Sequence, residues 1–370
     1  MLVYIITFLF SLAMFKLANT NSKYSKIFSI LGVLLPCLVA AFRSLSIGTD
    51  VQVYINPLFQ TALKSNSFSS YANLVFNVSD IGYLLLTYLC SRITSNISLL
   101  FFFLELLTIL PIYIALKRVY GKNNAVIWGM FLFFMFFFNQ SLNMARQSIA
   151  ISFFILAITY LEENKRKKYF LFSLIGYLFH SSCIVSIPIY LLYRYLNSEK
   201  DRTIFKIMVT CILIALVFFL PNAFYLAYKF GIVSASKYYL YVSQYMRESI
   251  DISYINIIIY TFVFIYVILN KNNIKNVFTN TKFFQFCAFI SIIILQFGSI
   301  IKYSDRIGYY LFYPILFLVL PSTLNYKKDK KTKNEFSKRL FIFIVFTIYW
   351  LYWIVILKYN ATYPYISIFD

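Results

Sequence analysis

One histidine, His180, and thirteen acidic residues are all that 370 positions supply for proton and metal chemistry. Protein-held metal sites draw on clustered Cys, His, Asp and Glu at short fixed spacings. No HExxH, CxxC or DxD is present, so no metal site is expected. GxxxxGK[ST] and GxGxxG are also absent, and with them any legible nucleotide-binding loop. No cofactor is expected. The five cysteines, Cys37, Cys90, Cys183, Cys211 and Cys287, lie in apolar stretches without paired spacing. They read as packing residues rather than a disulfide framework. Charged residues make up 13%, against about 25% in a soluble domain. What fills the chain instead is apolar: 61% AVILMFWYC, with mean hydropathy +0.74. That balance excludes a soluble enzyme and a disordered chain, and it leaves an integral membrane protein.

The candidate spans are 3–18, 27–42, 97–116, 124–139, 142–161, 167–181, 182–196, 203–220, 252–270, 283–301, 307–324 and 340–357. A helix needs about 20 apolar residues to cross a bilayer. The expected fold class is therefore all-α: one polytopic bundle over residues 1–370, with about twelve transmembrane helices in a range of about 11–14. The first run lacks a preceding charge and a small-residue cleavage site, so it reads as a helix rather than a signal peptide.

Lys and Arg total 34 against 13 acids, a net charge of +21. In a soluble protein this would suggest nucleic acid. Here the basic residues gather in alternate short loops, such as Lys165, Arg166, Lys167 and Lys168, and mark those loops as cytoplasmic. About 22 fall on that side and about nine on the other. No nucleic-acid partner is expected. The apolar run 81–93 is short, and letting it span would place Lys165–Lys168 outside. It is expected to lie at the interface or to re-enter. Two long outer loops result, at 43–96 and 221–251, and function is expected at the outer face.

Charge within hydrocarbon costs about 2.5–3.5 kcal/mol on insertion scales, so each case asks for a reason. Arg146 stands in Asn143-Met144-Ala145-Arg146-Gln147. The i, i+3, i+4 spacing of Asn143, Arg146 and Gln147 predicts one polar helix face near the outer surface. It suits an anion facing a cavity; the alternative is a structural ion pair, with Glu105 as a partner. Glu105 is the one acid inside a span. It is open to pairing with Arg146 or Arg43, or to accepting a proton. Arg43-Ser44-Leu45-Ser46-Ile47-Gly48-Thr49-Asp50 follows the second span, with Gly48 permitting a turn. His180 ends the run 167–181 at the same face, and Asp305-Arg306 forms another outer polar knot. The alternatives are an ordinary loop, a capping histidine and a solvated turn. Arginines with a carboxylate and an imidazole at one depth suit a multivalent anion next to a proton transfer. In 221–251, Tyr225, Tyr228, Tyr238, Tyr239, Tyr241 and Tyr245 read as an interfacial belt, or as a stacking surface for sugars.

These residues resemble a known family. Arg43…Gly48-Thr49-Asp50…Tyr54, Asn143-x-x-Arg146-Gln147-x-x-Ala150 and Phe179-His180-Ser181-Ser182 are similar to the EpsG family of Wzy-type polysaccharide polymerases. Asp305-Arg306-x-x-x-Tyr310 and Tyr363-Pro364-Tyr365…Phe369 resemble its C-terminal region. Each motif is short, and their shared order along nearly the whole chain makes the resemblance specific. It implies a multi-pass glycosyltransferase of the bacterial cytoplasmic membrane, acting in O-antigen, capsule or exopolysaccharide assembly with its active site on the extracytoplasmic face. The substrate implied is an oligosaccharide repeat unit on undecaprenyl pyrophosphate. Such enzymes resemble metal-independent C-type glycosyltransferases. Membrane lipid, a chain-length regulator and a flippase are the further partners the resemblance allows.

For inverting transfer, Arg146 and Arg43 are the expected pyrophosphate ligands, with Arg306 third. Arginine binds phosphate oxygens bidentately and keeps its charge. Asn143, Gln147, Asp305 and Tyr54 are the expected supporting residues. Asp50, then His180, is the expected base. The rival functions are a flippase for the same lipid-linked sugars, an outer-leaflet polysaccharide ligase, a sugar acyltransferase and a non-catalytic assembly subunit. A flippase needs polar residues at several depths, and here they gather at one.

Overall fold

The computed structural model describes residues 1–20, 23–75, 80–197, 202–231, 235, 239, 252–324 and 333–370. Among them the chain is helical throughout, with one isolated antiparallel bridge between Arg43 and Ser367. The all-α expectation holds. Contacts divide the chain into two compact units, Met1–Ile184 with Pro321–Asp370, and Val185–Leu320.

The first unit contains α1 (Leu2–Ala18), α2 (Ser25–Ala41), α3 (Asn56–Lys64), α4 (Phe68–Val75), α5 (Ile81–Ile93) and α6 (Ser98–Tyr120). It continues with α7 (Ala125–Phe136), α8 (Phe138–Asn143), α9 (Ala145–Glu162) and α10 (Arg166–Phe179). The second unit holds α11 (Ser186–Leu196), α12 (Thr203–Lys229), α13 (Tyr254–Leu269), α14 (Thr281–Leu295) and α15 (Tyr309–Pro314). The chain then returns to the first unit as α16 (Lys333–Trp350). Among the described residues three helical segments, Ser98–Tyr120, Thr281–Ser299 and Phe336–Ile356, are long and apolar enough to cross a membrane. Seven other apolar helices run 10–17 residues. With this composition, they make the chain a membrane protein.

Helix α6 is the axis of the first unit, packed on α2, α7 and α9, while α9 also packs on α10. Helices α1 and α2 approach closely because Gly32 has no Cβ. One placed there would stand 2.6 Å from the Phe15 ring, and Ser11 Oγ donates to the Gly32 carbonyl at 2.6 Å. At the far end of α6, Arg118 pairs with Glu163 and lies 3.7 Å from the Tyr160 ring centroid. In the second unit α14 takes the central place, against α11, α12, α13 and α15. Asn280 starts α14 by accepting the Phe283 N–H at 3.0 Å, as an N-cap amide does.

Three details differ from the sequence expectation. The segment 43–96 is not an irregular loop, because α3, α4 and α5 occupy most of it. Arg92 at the end of α5 binds it together, donating to the carbonyls of Ala62 at 2.6 Å and Ser65 at 3.1 Å. Those carbonyls are the ones a helix C-terminus leaves without intrahelical partners. Second, α12 continues to Lys229, so the segment 221–251 begins as helix. Tyr225 and Tyr228 lie on it, and the Tyr228 and Tyr239 rings are 6.3 Å apart. Tyr238, Tyr241 and Tyr245 lie outside the described residues. Third, the run 307–324 is broken into α15, a π-helical turn at Ile315–Val319 and the short helix Leu320–Thr323.

Candidate functional site

The site is built where α8 stops. Met144 leaves helical geometry, at φ −87° and ψ +51°, and separates α8 from α9. Asn143 therefore ends one helix and Arg146 begins the next. The single polar face expected for Asn143, Arg146 and Gln147 does not form, since i, i+3, i+4 spacing aligns side chains only along an unbroken helix.

Asn143, 7% exposed, becomes the anchor of the loop before α3. Its Oδ1 accepts from Thr49 Oγ1 at 2.8 Å and from the Asp50 N–H at 3.0 Å. Its Nδ2 donates to Asn360 Oδ1 at 3.2 Å. Gly48 makes the approach possible. Its φ is +89°, and a Cβ there would stand 2.8 Å from the Leu142 carbonyl oxygen. The next turn, Val51–Ile55, is π-helical and carries Tyr54 beneath Arg146.

Arg146 lies against the rings of Tyr54 and Tyr83 and faces the Asp80 carboxylate. Its Cζ is 4.3 Å from the Tyr54 ring centroid and 5.8 Å from that of Tyr83. Its Nη1 is 3.8 Å from Asp80 Oδ2, and the two side chains are 20% and 23% exposed. Tyr54 also lies beside Asp50. Burial first, then the Asp50 charge, raises the Tyr54 phenol above its ordinary pKa. Asp50, Tyr54, Asn143 and Arg146 are thus one connected group. Gln147, 4% exposed, follows on the first turn of α9.

Asp80 is the residue that reading the sequence missed. It occupies the N-cap of α5 but makes no side-chain cap bond. Its carboxylate instead faces Arg146, with the backbone N–H of Ser181 nearby. Burial raises the Asp80 carboxyl above its usual pKa, while Arg146 and backbone N–H groups lower it. The signal was an acid directly before the apolar run 81–93, which marks a helix start and gives no hint of Arg146.

His180 ends α10, the residue beside Ser181. Its Nδ1 accepts the Ser182 N–H at 3.2 Å and lies 2.7 Å from Ser182 Oγ. The neutral ring therefore carries its proton on Nε2.

Glu105 resolves differently from the pairing with Arg146. Arg146 takes Asp80, and Glu105 faces Arg43. Arg43 is 2% exposed, with Cζ 4.3 Å from the Phe101 ring centroid and a buried Nε without a hydrogen-bond partner. Ser141 Oγ lies 2.9 and 3.1 Å from the two Glu105 oxygens. Arg43 is thus an interior cation at the root of the loop. The C-terminal tail closes over it. Ser44 N–H donates to Ile366 O, Ile368 N–H to Phe42 O and Gly48 N–H to Ala361 O, each at 2.9 Å. Tyr4 Oη donates to Thr362 O at 2.7 Å, and Tyr365 Oη to Val39 O at 2.9 Å.

Asp305 and Arg306 belong to the second unit. There Tyr309 Oη donates to Asp305 Oδ2 at 3.1 Å, and Arg306 Cζ lies 4.2 Å from the Tyr303 ring centroid.

Comparison with curated proteins and with solved structures finds no match. Residues 26–367, nearly the whole chain, match the family model described as EpsG family, and the chain belongs to that family.

Proposed function

We propose that this membrane protein is a repeat-unit polymerase, a glycosyltransferase that joins oligosaccharides carried on undecaprenyl pyrophosphate. Membership of the EpsG family suggests a function of the polysaccharide-polymerase type. The observation that carries the chemistry is the setting of Arg146: a cation one-fifth exposed, seated on Tyr54, beside carboxylates and an imidazole-bearing loop. A planar guanidinium fixed on a ring is prepared for bidentate contact with phosphate oxygens. Charge developing on the departing pyrophosphate is where fixed donors lower a barrier most.

The acceptor hydroxyl attacks the anomeric carbon of the donor sugar, the bond to pyrophosphate breaks, and Arg146 holds the leaving group. Asp50, with Tyr54 against it, and His180 are the sequence's candidates for receiving the hydroxyl proton. Asn143 sets the position of Asp50 through the Thr49–Asp50 backbone, and Gln147 supports Arg146 from the same turn. Arg43 stabilises the loop from inside. Arg306 and Asp305, in the second unit, are proposed as a separate polar contact for substrate. The reaction runs without metal, as in C-type glycosyltransferases, at the outer face of the bacterial cytoplasmic membrane. The lopsided basic loops support that sidedness.

The test is polymerisation by purified protein in nanodiscs, supplied with lipid-pyrophosphate-linked repeat units in EDTA. A ladder of products is expected. Movement of the same lipid across a proteoliposome bilayer without a ladder would replace the polymerase with a flippase. Transfer to a different acceptor without chain growth would replace it with a ligase.

A further inference from the structure

Asp80 has a position and a set of partners that a structural cap does not need. A helix N-cap acid ordinarily accepts from the first amides of its own helix. Asp80 stands at that place in α5, makes no such side-chain bond, and turns to Arg146 on α9. At 3.8 Å the pair is loose for a charge-assisted hydrogen bond, which closes to about 2.7–2.9 Å. Each side chain keeps about a fifth of its surface exposed, 20% for Arg146 and 23% for Asp80. Arg146 therefore remains reachable, and its carboxylate partner covers it incompletely. The Ser181 N–H lies on the other side of Asp80 and favours its charged form.

We propose that Asp80, in place of Asp50 or His180, is the catalytic base of this site and an internal counter-anion for Arg146, which the donor pyrophosphate displaces from it. The inference rests on the polymerase reading above. In the empty site the carboxylate neutralises Arg146. When the donor's phosphates take the guanidinium, Asp80 loses the cation that opposed its protonation and gains anionic neighbours. Both changes raise its basicity. The groups facing it are Arg146 from α9 and the Ser181 N–H from the loop after α10, with Tyr54 and Tyr83 on the Arg146 side.

The step balances. The acceptor O–H bond breaks and its proton passes to Asp80. The acceptor oxygen bonds the anomeric carbon, and the anomeric carbon–oxygen bond to pyrophosphate breaks. The electron pair of that bond leaves with the lipid pyrophosphate on Arg146. Asp80 then returns its proton to solvent or to the leaving group and re-pairs with Arg146. Base strength is in this way tied to donor occupancy, and an idle site holds a weak base.

The experiment uses full-length protein in detergent with inorganic pyrophosphate as the probe, titrated calorimetrically, beside initial polymerisation rates on lipid-linked repeat units. Asp80→Asn removes the competing charge and keeps the shape. It is expected to bind pyrophosphate about threefold tighter than wild type, the factor a part-exposed ion pair supports. Its transfer rate is expected to fall about 100-fold or more, as loss of a general base does. Asp80→Glu keeps the carboxylate and is expected to recover part of the rate. A merely structural Asp80 would give weaker pyrophosphate binding alongside slower transfer, and that result overturns the proposal. So does polymerisation at the wild-type rate by Asp80→Asn. If wild-type protein makes no polymer, the polymerase reading falls by itself. Unchanged or weaker pyrophosphate binding by Asp80→Asn then separately refutes the counter-anion.

Discussion

Replacing Arg43 by Met tests whether the loop's root is held by an interior charge pair. Arg43 is 2% exposed and Glu105 is also 2% exposed, and they face each other inside the first unit. Met keeps an unbranched apolar side chain but removes the charge and the guanidinium that faces the Phe101 ring. Glu105 then has Ser141 Oγ at 2.9 Å and no facing cation. The two charges interact through space rather than in direct contact, so a single variant should lose at most about 3 kcal/mol, the lower end of what breaking a buried pair from one side costs. That is about 4 °C in unfolding midpoint for a chain of this size. Glu105→Gln, which strands the guanidinium, should cost a similar amount. The double variant, Arg43→Met with Glu105→Met, replaces both charges with apolar volume and should return to within about 2 °C of wild type. The assay is thermal unfolding of detergent-purified protein, followed as loss of the monodisperse peak on size exclusion. Two outcomes refute the reasoning: single variants as stable as wild type, or a double variant with the sum of both losses.

The remaining predictions concern the loop that carries Asp50. Gly48→Ala should lose about 2 kcal/mol, since an L residue is strained at φ +89° and its Cβ would stand 2.8 Å from Leu142 O. The unfolding midpoint checks it, and an unchanged midpoint would show that the loop relaxes. Asn143→Leu should cost about 1–3 kcal/mol by leaving the Asp50 N–H and Thr49 hydroxyl without their acceptor. It should also slow transfer more than it weakens pyrophosphate binding, which calorimetry and initial rates separate.

The membrane class and the helical fold were legible in the sequence. Asp50, Tyr54, Asn143 and Arg146 come together as one group. The reason for their meeting was not legible. The break at Met144 has no Pro or Gly to announce it, and the surrounding pattern reads as continuous helix. It is imposed by tertiary contacts, as Asn143 turns to the Thr49–Asp50 segment and to Asn360 in the tail. Arg43 reads from its neighbours as an edge residue, because burying it depends on the tail residues Ile366 and Ile368, more than 300 positions away. Asp80 was hidden for the opposite reason. An acid before an apolar run has an ordinary local explanation, and only the packing of α5 beside α10 brings it to Arg146 and Ser181.

The most direct measurement is the polymer profile of a strain whose own enzyme is deleted and replaced by the Arg146→Lys variant, at matched membrane protein level. Lysine keeps the charge and loses the planar two-point contact with phosphate and the guanidinium's contact with the Tyr54 ring. The account predicts single repeat units and no ladder from that variant, beside a full ladder from the wild-type chain. A wild-type ladder from Arg146→Lys would contradict it and remove Arg146 from the leaving-group site.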